Sequence, residues 1–266
     1  MFAFDISTRF ACSTLLFRSM AFADVLKAIS KTKLGYVDLW STPGVLQHVD
    51  PERDSVTDVT ALLSDHNIRP ASVSAYATFG DDLLARLDFA AGIGAPTVIA
   101  TAPHREYERH EATDDVRALG RAAQERGVTL ALANQIDTWL DEPGEIASFL
   151  DDVGHPRIQL SVTPPHARLV KTTLRALLQA AGNRVGHTCL WSASSAMNNA
   201  DDLGPTEDQV PGSGTVDFGA LIDTLEEDNY FGMYTFLWGG TQDWSEDRTV
   251  EAINSARSHV LKVSKG

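Results

Sequence analysis

Cysteine is nearly absent from this chain: Cys12 and Cys189 are the only two in 266 residues. Two thiols build no framework of bridges, so the expectation is a pair of reduced side chains rather than a disulfide-stapled scaffold. Cations are short as well, with 22 Lys and Arg against 36 Asp and Glu and a formal net charge of -14. Such a surface repels phosphate backbones and anionic headgroups. It disfavours a nucleic-acid or lipid-surface role and points to a small molecule as substrate or ligand. No uncharged run is long enough to span a bilayer. The opening MFAFDIST lacks a basic n-region, and Asp5 and Arg9 interrupt its apolar residues. A soluble, cytoplasmic protein is expected. Also missing are a Pro/Ser-rich linker, which leaves a single domain over residues 1–266, and a glycine-rich phosphate loop after the first apolar run, which argues against an open dinucleotide-binding sheet.

What is present is alternation. Short apolar runs at residues 2–7, 36–40, 71–75, 97–101, 129–133, 158–162, 185–190 and 233–237 read as strands. Between and after them lie amphipathic stretches at 21–31, 56–65, 81–91, 114–125, 145–152, 170–181, 218–227 and 246–261, which read as helices. Gly35, Gly92, Gly94, Gly127 and Gly232 fall just before strands, where a helix-terminating residue with positive φ belongs. Parallel strands joined by right-handed crossovers must be covered on both faces or closed into a ring, and eight such units favour closure. The fold class is therefore α/β, a single (β/α)8 TIM barrel.

Function in such a barrel sits at the C-terminal ends of the strands. Trp40 ends the second predicted strand, Tyr76 follows the third, Trp139 the fifth, Trp191 ends the seventh and Trp238 the eighth. Rings gathered at one mouth would give apolar walls with polar edges, suited to a sugar face or an aromatic ligand; packing under loops or at an oligomer interface is the alternative use.

Several segments resemble the xylose-isomerase-like sugar phosphate isomerase/epimerase family, including members of the D-tagatose 3-epimerase type. VTLALANQ is similar to the family's fifth strand, whose ALEN run carries a metal-binding Glu; Ala133 stands there. HPRIQLSVTPPH resembles the sixth, ending in Asp-x-x-His, with Thr163 for the Asp and His166 retained. RVGHTCLW resembles the His-x-His seventh strand, with His187 kept and Cys189 in the second place. The stretch at 211–232, PGSGTVDFGALIDTLEEDNYFG, is the most family-like and leads into MYTFLWGG, where Leu237 replaces the closing Glu. The resemblance implies a divalent-metal enzyme whose two Glu residues also shuttle a proton at the epimerised carbon. In this chain neither Glu is present. Misalignment does not restore the carboxylates, because no Asp or Glu occurs between Asp152 and Asp201 or from 231 through 242. Mn²⁺, Mg²⁺ or Co²⁺ needs several oxygen ligands, and Ala and Leu supply none, so no metal and no other cofactor is expected. A softer ion such as Zn²⁺ on Cys189, His187 and His166 would need a convergence of three or four ligands.

Groups remain that could move protons without a metal: His166, His187 and Asp137 are the candidate catalytic residues. A barrel-core role for His187 and a buried, inert role for Cys189 are the bland alternatives. Arg9 and His104, placed after the first and fourth predicted strands, and Asn134, Gln135, Cys189, Trp40, Tyr76, Trp139, Trp191 and Trp238 are the candidate substrate contacts. The segment 192–213, rich in polar residues, suggests a mobile cover over the mouth. Two functions follow. The first is a metal-independent isomerase, epimerase or lyase for a small polyhydroxylated or carbonyl compound. The second is an inactive relative that binds a ligand or serves as a non-catalytic subunit. An endonuclease-like role is opposed by the net charge and the missing ligands. Outer helices leave a homo-oligomer open without fixing its copy number.

Overall fold

The computed structural model describes residues 5–197, 199–200 and 202–264. Eight parallel strands close into a barrel: β1 (Phe10–Ser13), β2 (Tyr36–Thr42), β4 (Arg69–Ser74), β5 (Thr97–Thr101), β6 (Thr129–Ala133), β7 (Ile158–Val162), β8 (Val185–Leu190) and β9 (Tyr234–Phe236). Closure comes from β1, which pairs with β2 on one side and β9 on the other. A two-residue strand, β3 (Leu46–Gln47), adds antiparallel to the end of β2.

The helices form the outer ring: α1 (Phe22–Ser30), α2 (Val56–Asp65), α3 (Gly80–Ile93), α4 (Arg109–Glu125), α5 (Pro143–Val153), α6 (Pro164–Leu169), α7 (Leu174–Ala181), α8 (Thr206–Gln209), α9 (Phe218–Glu227) and α10 (Glu246–Val263). Their starts carry the chemistry that orphan amides require. Ser55, Thr173, Asp217 and Ser245 each accept a hydrogen bond from an amide of the first turn of α2, α7, α9 and α10. Between ring and barrel lies the main core, with Phe10, Phe149, Phe218, Phe236 and Trp238 almost completely buried. Each such side chain contributes about 1.5–3 kcal/mol by leaving water.

The first strand is not where the apolar run at 2–7 predicts it. Residues 2–4 lie outside the described residues, and Asp5 caps a 3-10 turn over Ile6–Arg9, accepting a hydrogen bond from the Ser7 amide at 3.0 Å. The strand follows at Phe10–Ser13, because only there do two neighbours pair with it and Phe10 meet Phe236, ring centroids 5.3 Å apart. Arg9 therefore stands before β1, at the N-terminal end of the barrel, and not at the mouth. Its guanidinium donates to the carbonyls of Tyr230 and Gly232 and to Glu226. The helix predicted at 170–181 starts later, as α7 at Leu174, and a separate short helix, α6, precedes it and carries His166.

Two register shifts matter for the interior. Along β2 and β4 the partner moves from Pro70, opposite Val37, to Ser72, opposite Asp38, leaving Ala71 unpaired. Along β7 and β8 it moves from Val185, opposite Leu160, to His187, opposite Ser161, leaving Gly186 over. An extra residue in one strand re-aims the side chains beyond it. Each shift here sets a polar side chain beside its hydrogen-bond partner.

After β8, several of the described residues make specific contacts with the strand ends. The buried Gln209 accepts through Oε1 from Trp191 Nε1 and from the Gly239 amide, both at 3.1 Å, and donates to the Gly204 carbonyl. A Cβ at Gly214 would run into the carbonyl oxygens of Asp208 and Ala193. Neither backbone group can swing away as a side-chain end would. Gly214→Ala should therefore lower stability by about 1–3 kcal/mol, read from urea unfolding with the helix content of the folded state unchanged.

Candidate functional site

Alternation along the strands sorts the residues of the mouth. On β9 and beyond, Thr235 and Leu237 face the interior, while Phe236 and Trp238 face the helices. The interior then divides by height. The deeper layer is polar and the layer above it, at the C-terminal ends, is apolar.

Asp38 dominates one side of the polar layer. Its carboxylate accepts from Ser13 Oγ at 2.8 Å, Ser72 Oγ at 2.7 Å and Ser74 Oγ at 2.8 and 3.0 Å, and the Trp40 indole N–H leans toward it without reaching hydrogen-bond geometry. Burial raises the Asp38 pKa above the usual carboxylate value, against the serine hydrogen bonds, which lower it. Opposite, His187 is held through both ring nitrogens, Nδ1 at 2.9 Å from Ser161 Oγ and Nε2 at 2.9 Å from Thr235 Oγ1. Burial pushes its pKa down to about 3 and keeps the ring neutral. Tyr76, from beyond β4, interacts through its hydroxyl with Ser161 and Cys189, and burial raises its pKa well above the usual phenol value.

Above this layer Trp40, Cys189 and Leu237 form a buried apolar cluster of their own, with Leu15, Leu46, Tyr76 and Trp191 packed against it. Trp40 and Tyr76 lie with ring centroids 5.3 Å apart at 31°. Thr163 Oγ1 approaches Cys189 Sγ at 4.0 Å, and Ala133 is fully buried on the neighbouring strand. Burial pushes the Cys189 thiol up to about 12, so at neutral pH it is protonated.

A divalent ion does not fit this donor set. Among the described residues no group of three or more His, Cys, Asp and Glu comes close enough to hold a metal, and the potential ligands of the interior are already taken by hydroxyls. The same count leaves Cys189, His187 and His166 short of a zinc site.

The remaining predicted residues are spread out. His166, in the first turn of α6, is largely buried, its Nδ1 without a partner and its pKa lowered to about 4 by desolvation. Asp137 is exposed on the turn after β6, at φ 60°, with its amide bonded to Asp141 and its carbonyl to the Arg105 amide. His104 is exposed and forms a single antiparallel bridge with Thr138. Asn134 ties β6 to β7 through the backbone of Thr163, accepting at 2.6 Å and donating at 3.4 Å, and Gln135 is half-buried beside it. Trp139 stands outside the interior cluster, under the guanidinium of Arg109 at 5.0 Å. Trp238 is buried beneath the helices rather than at the mouth. The residue that sequence reading passed over is Asp38. A lone carboxylate within the buried strand YVDLWST was the available signal.

Both buried imidazoles bind fewer protons folded than unfolded between the ordinary value of 6.5 and their lowered values of about 3 and about 4. Stability is thus complete above that window and is lost as the pH falls through it, at about 1.4 kcal/mol per pH unit for each ring. Urea unfolding between neutral pH and about pH 4 should show this slope, and His187→Gln should remove one ring's share; an unchanged slope would mean that His187 titrates normally in the folded chain.

Comparison with known proteins agrees with this architecture. A D-psicose 3-epimerase from Enterocloster bolteae is 24% identical over 173 residues, which cover 59% of this chain and 53% of that relative's length. Among solved structures, a D-allulose 3-epimerase from Methylomonas sp. superposes with a TM-score of 0.72 at 16% identity, covering 94% of this chain and 97% of the other. The probable 3-DHS dehydratase AsbF of Bacillus anthracis gives 0.74 at 15% identity, with coverage of 97% and 99%. The zinc-binding IolI protein gives 0.76 at 16% identity, with coverage of 96% and 98%. These likenesses establish a shared fold. The profile of the family described as "Xylose isomerase-like TIM barrel" matches residues 26–259, and the chain belongs to that family.

Proposed function

We propose that this barrel is a sugar isomerase/epimerase-type protein that has given up metal-assisted proton transfer and binds a small molecule at its C-terminal mouth without transforming it. The observation that carries this reading is the apolar cluster in which Trp40 packs with Cys189 and Leu237, the two positions where the family resemblance calls for an imidazole and a carboxylate ligand. Proton transfer at a carbon beside a carbonyl needs an acid or base on each side of it, within hydrogen-bond reach. His187 has both nitrogens engaged, Cys189 keeps its proton at neutral pH, and Asp137 is exposed on an outer turn. Trp40, Tyr76 and Trp191 supply an aromatic floor, which suits a ligand with one flat apolar face and hydroxyls around it.

A second reading, a metal-independent isomerase, epimerase or lyase, draws support from His166. Its buried Nδ1 has no partner, and its low pKa leaves the ring neutral, with a lone pair, at working pH. The family relatives that act on D-psicose and D-allulose make ketohexoses the first compounds to try.

One set of measurements separates the two. Elemental analysis should find Mn, Co and Zn far below one per chain, and ketohexoses and keto acids should not turn over with or without added Mn²⁺. Tryptophan fluorescence should saturate with a polyhydroxylated or aromatic ligand, and Trp191→Ala should weaken that binding about tenfold, as expected for an aromatic anchor. Stoichiometric metal, or a turnover abolished by His166→Ala, would overturn the binding reading.

A further inference from the structure

Cations are scarce overall, 22 against 36 acids, yet residues 153–200 contain Arg157, Arg168, Lys171, Arg175 and Arg184 and no acid at all. Three of these five line one cavity. It lies outside the barrel wall, between α6 and α7 on one side and α9 on the other, and measures about 510 Å³. Pro164, Ala167, Ala193, Val216 and Leu221 give it an apolar wall; Arg168, Lys171 and Arg175 stand around it. It shares no lining residue with the cluster at the barrel mouth.

The charges are placed against local preference. A helix start carries partial positive charge and favours acids in its first turn, as α1, α2, α3, α4, α5 and α10 all have. α7 has instead Arg175 in its first turn, with Lys171 just before the cap. Lys171 is also held at φ 56°, a region that side-chain-bearing residues rarely adopt. No ion pair involves Lys171 among the described residues, and Arg175 reaches Glu227 only at 3.9 Å on the exposed surface. Arg168 is pinned by a hydrogen bond from Nη2 to the Ser195 carbonyl at 2.9 Å. The acid in the lining is Asp217, and one of its oxygens is engaged in capping α9.

We propose that this cavity is a binding site for a phosphate monoester whose alcohol part is apolar. The phosphoryl dianion sits among Arg168, Lys171 and Arg175 at the start of α7, where it neutralises the unfavourable cations. The carbon skeleton lies on Pro164, Ala167 and Leu221, since the cavity is much larger than a bare phosphate ion. The two parts of the ligand are thus recognised separately.

Calorimetric titration of the full chain at low salt tests this with three probes: phenyl phosphate, inorganic phosphate and phenol. Phenyl phosphate should bind one per chain and inorganic phosphate more weakly at the same place, so that each competes with the other, while phenol should not bind measurably. Lys171→Gln and Arg175→Gln should each weaken phenyl phosphate about tenfold, the factor that one lost charge-assisted hydrogen bond implies. Arg184→Gln, outside the cavity, should leave binding unchanged, and melting curves confirm that each variant is folded. Failure of phenyl phosphate to saturate overturns the proposal. So does binding that survives both cavity substitutions, or that Arg184→Gln weakens as much as they do.

Discussion

A closed barrel encloses a volume that its own side chains must fill, and every polar group sent inward must find its partner there. Asp38 is the severest case, a carboxylate walled in with no cation paired to it among the described residues. Three serine hydroxyls from β1 and β4 serve it, and the register shift between β2 and β4 brings Ser72 opposite it. On the far side the shift between β7 and β8 does the same for Ser161 and His187. The two irregularities are how a regular sheet accommodates a carboxylate and an imidazole in a dry interior. With those groups satisfied, the layer above them is left to hydrocarbon, aromatic rings and one protonated thiol.

Most of the architecture was legible in the sequence, because strands buried on both faces read as short apolar runs and their helices as amphipathic stretches. The strands β2 and β4 to β9 fall within a few residues of their predicted places. The first strand failed for a reason that local pattern cannot supply. The run at 2–7 is apolar, but Phe10–Ser13 is the segment that two neighbouring strands accept, and ring closure is a property of the whole chain. Arg9 was carried to the wrong end of the barrel by that error.

The site was legible in part. Trp40, Tyr76, Trp191, Cys189 and Leu237 do meet, as strand ends around one mouth should. Trp238 does not join them, because it follows Leu237 by one residue and so turns to the opposite face, a consequence of the two-residue period of a strand. His187 kept its place inside, yet the hydrogen bonds that occupy it come from hydroxyls 26 and 48 residues away and leave no trace in its local sequence. Asp38 sits in the middle of a strand, away from the strand ends where barrel function concentrates, and its partners Ser13, Ser72 and Ser74 lie on other strands, so the local sequence does not show what holds it.

The seating of Leu237 restricts what its position can accept. A glutamate at that position would set a carboxylate beside Trp40 and Cys189, in the same dry space as Asp38; such a burial costs several kcal/mol. Packing of this kind makes the position a filter that admits hydrocarbon and rejects charge.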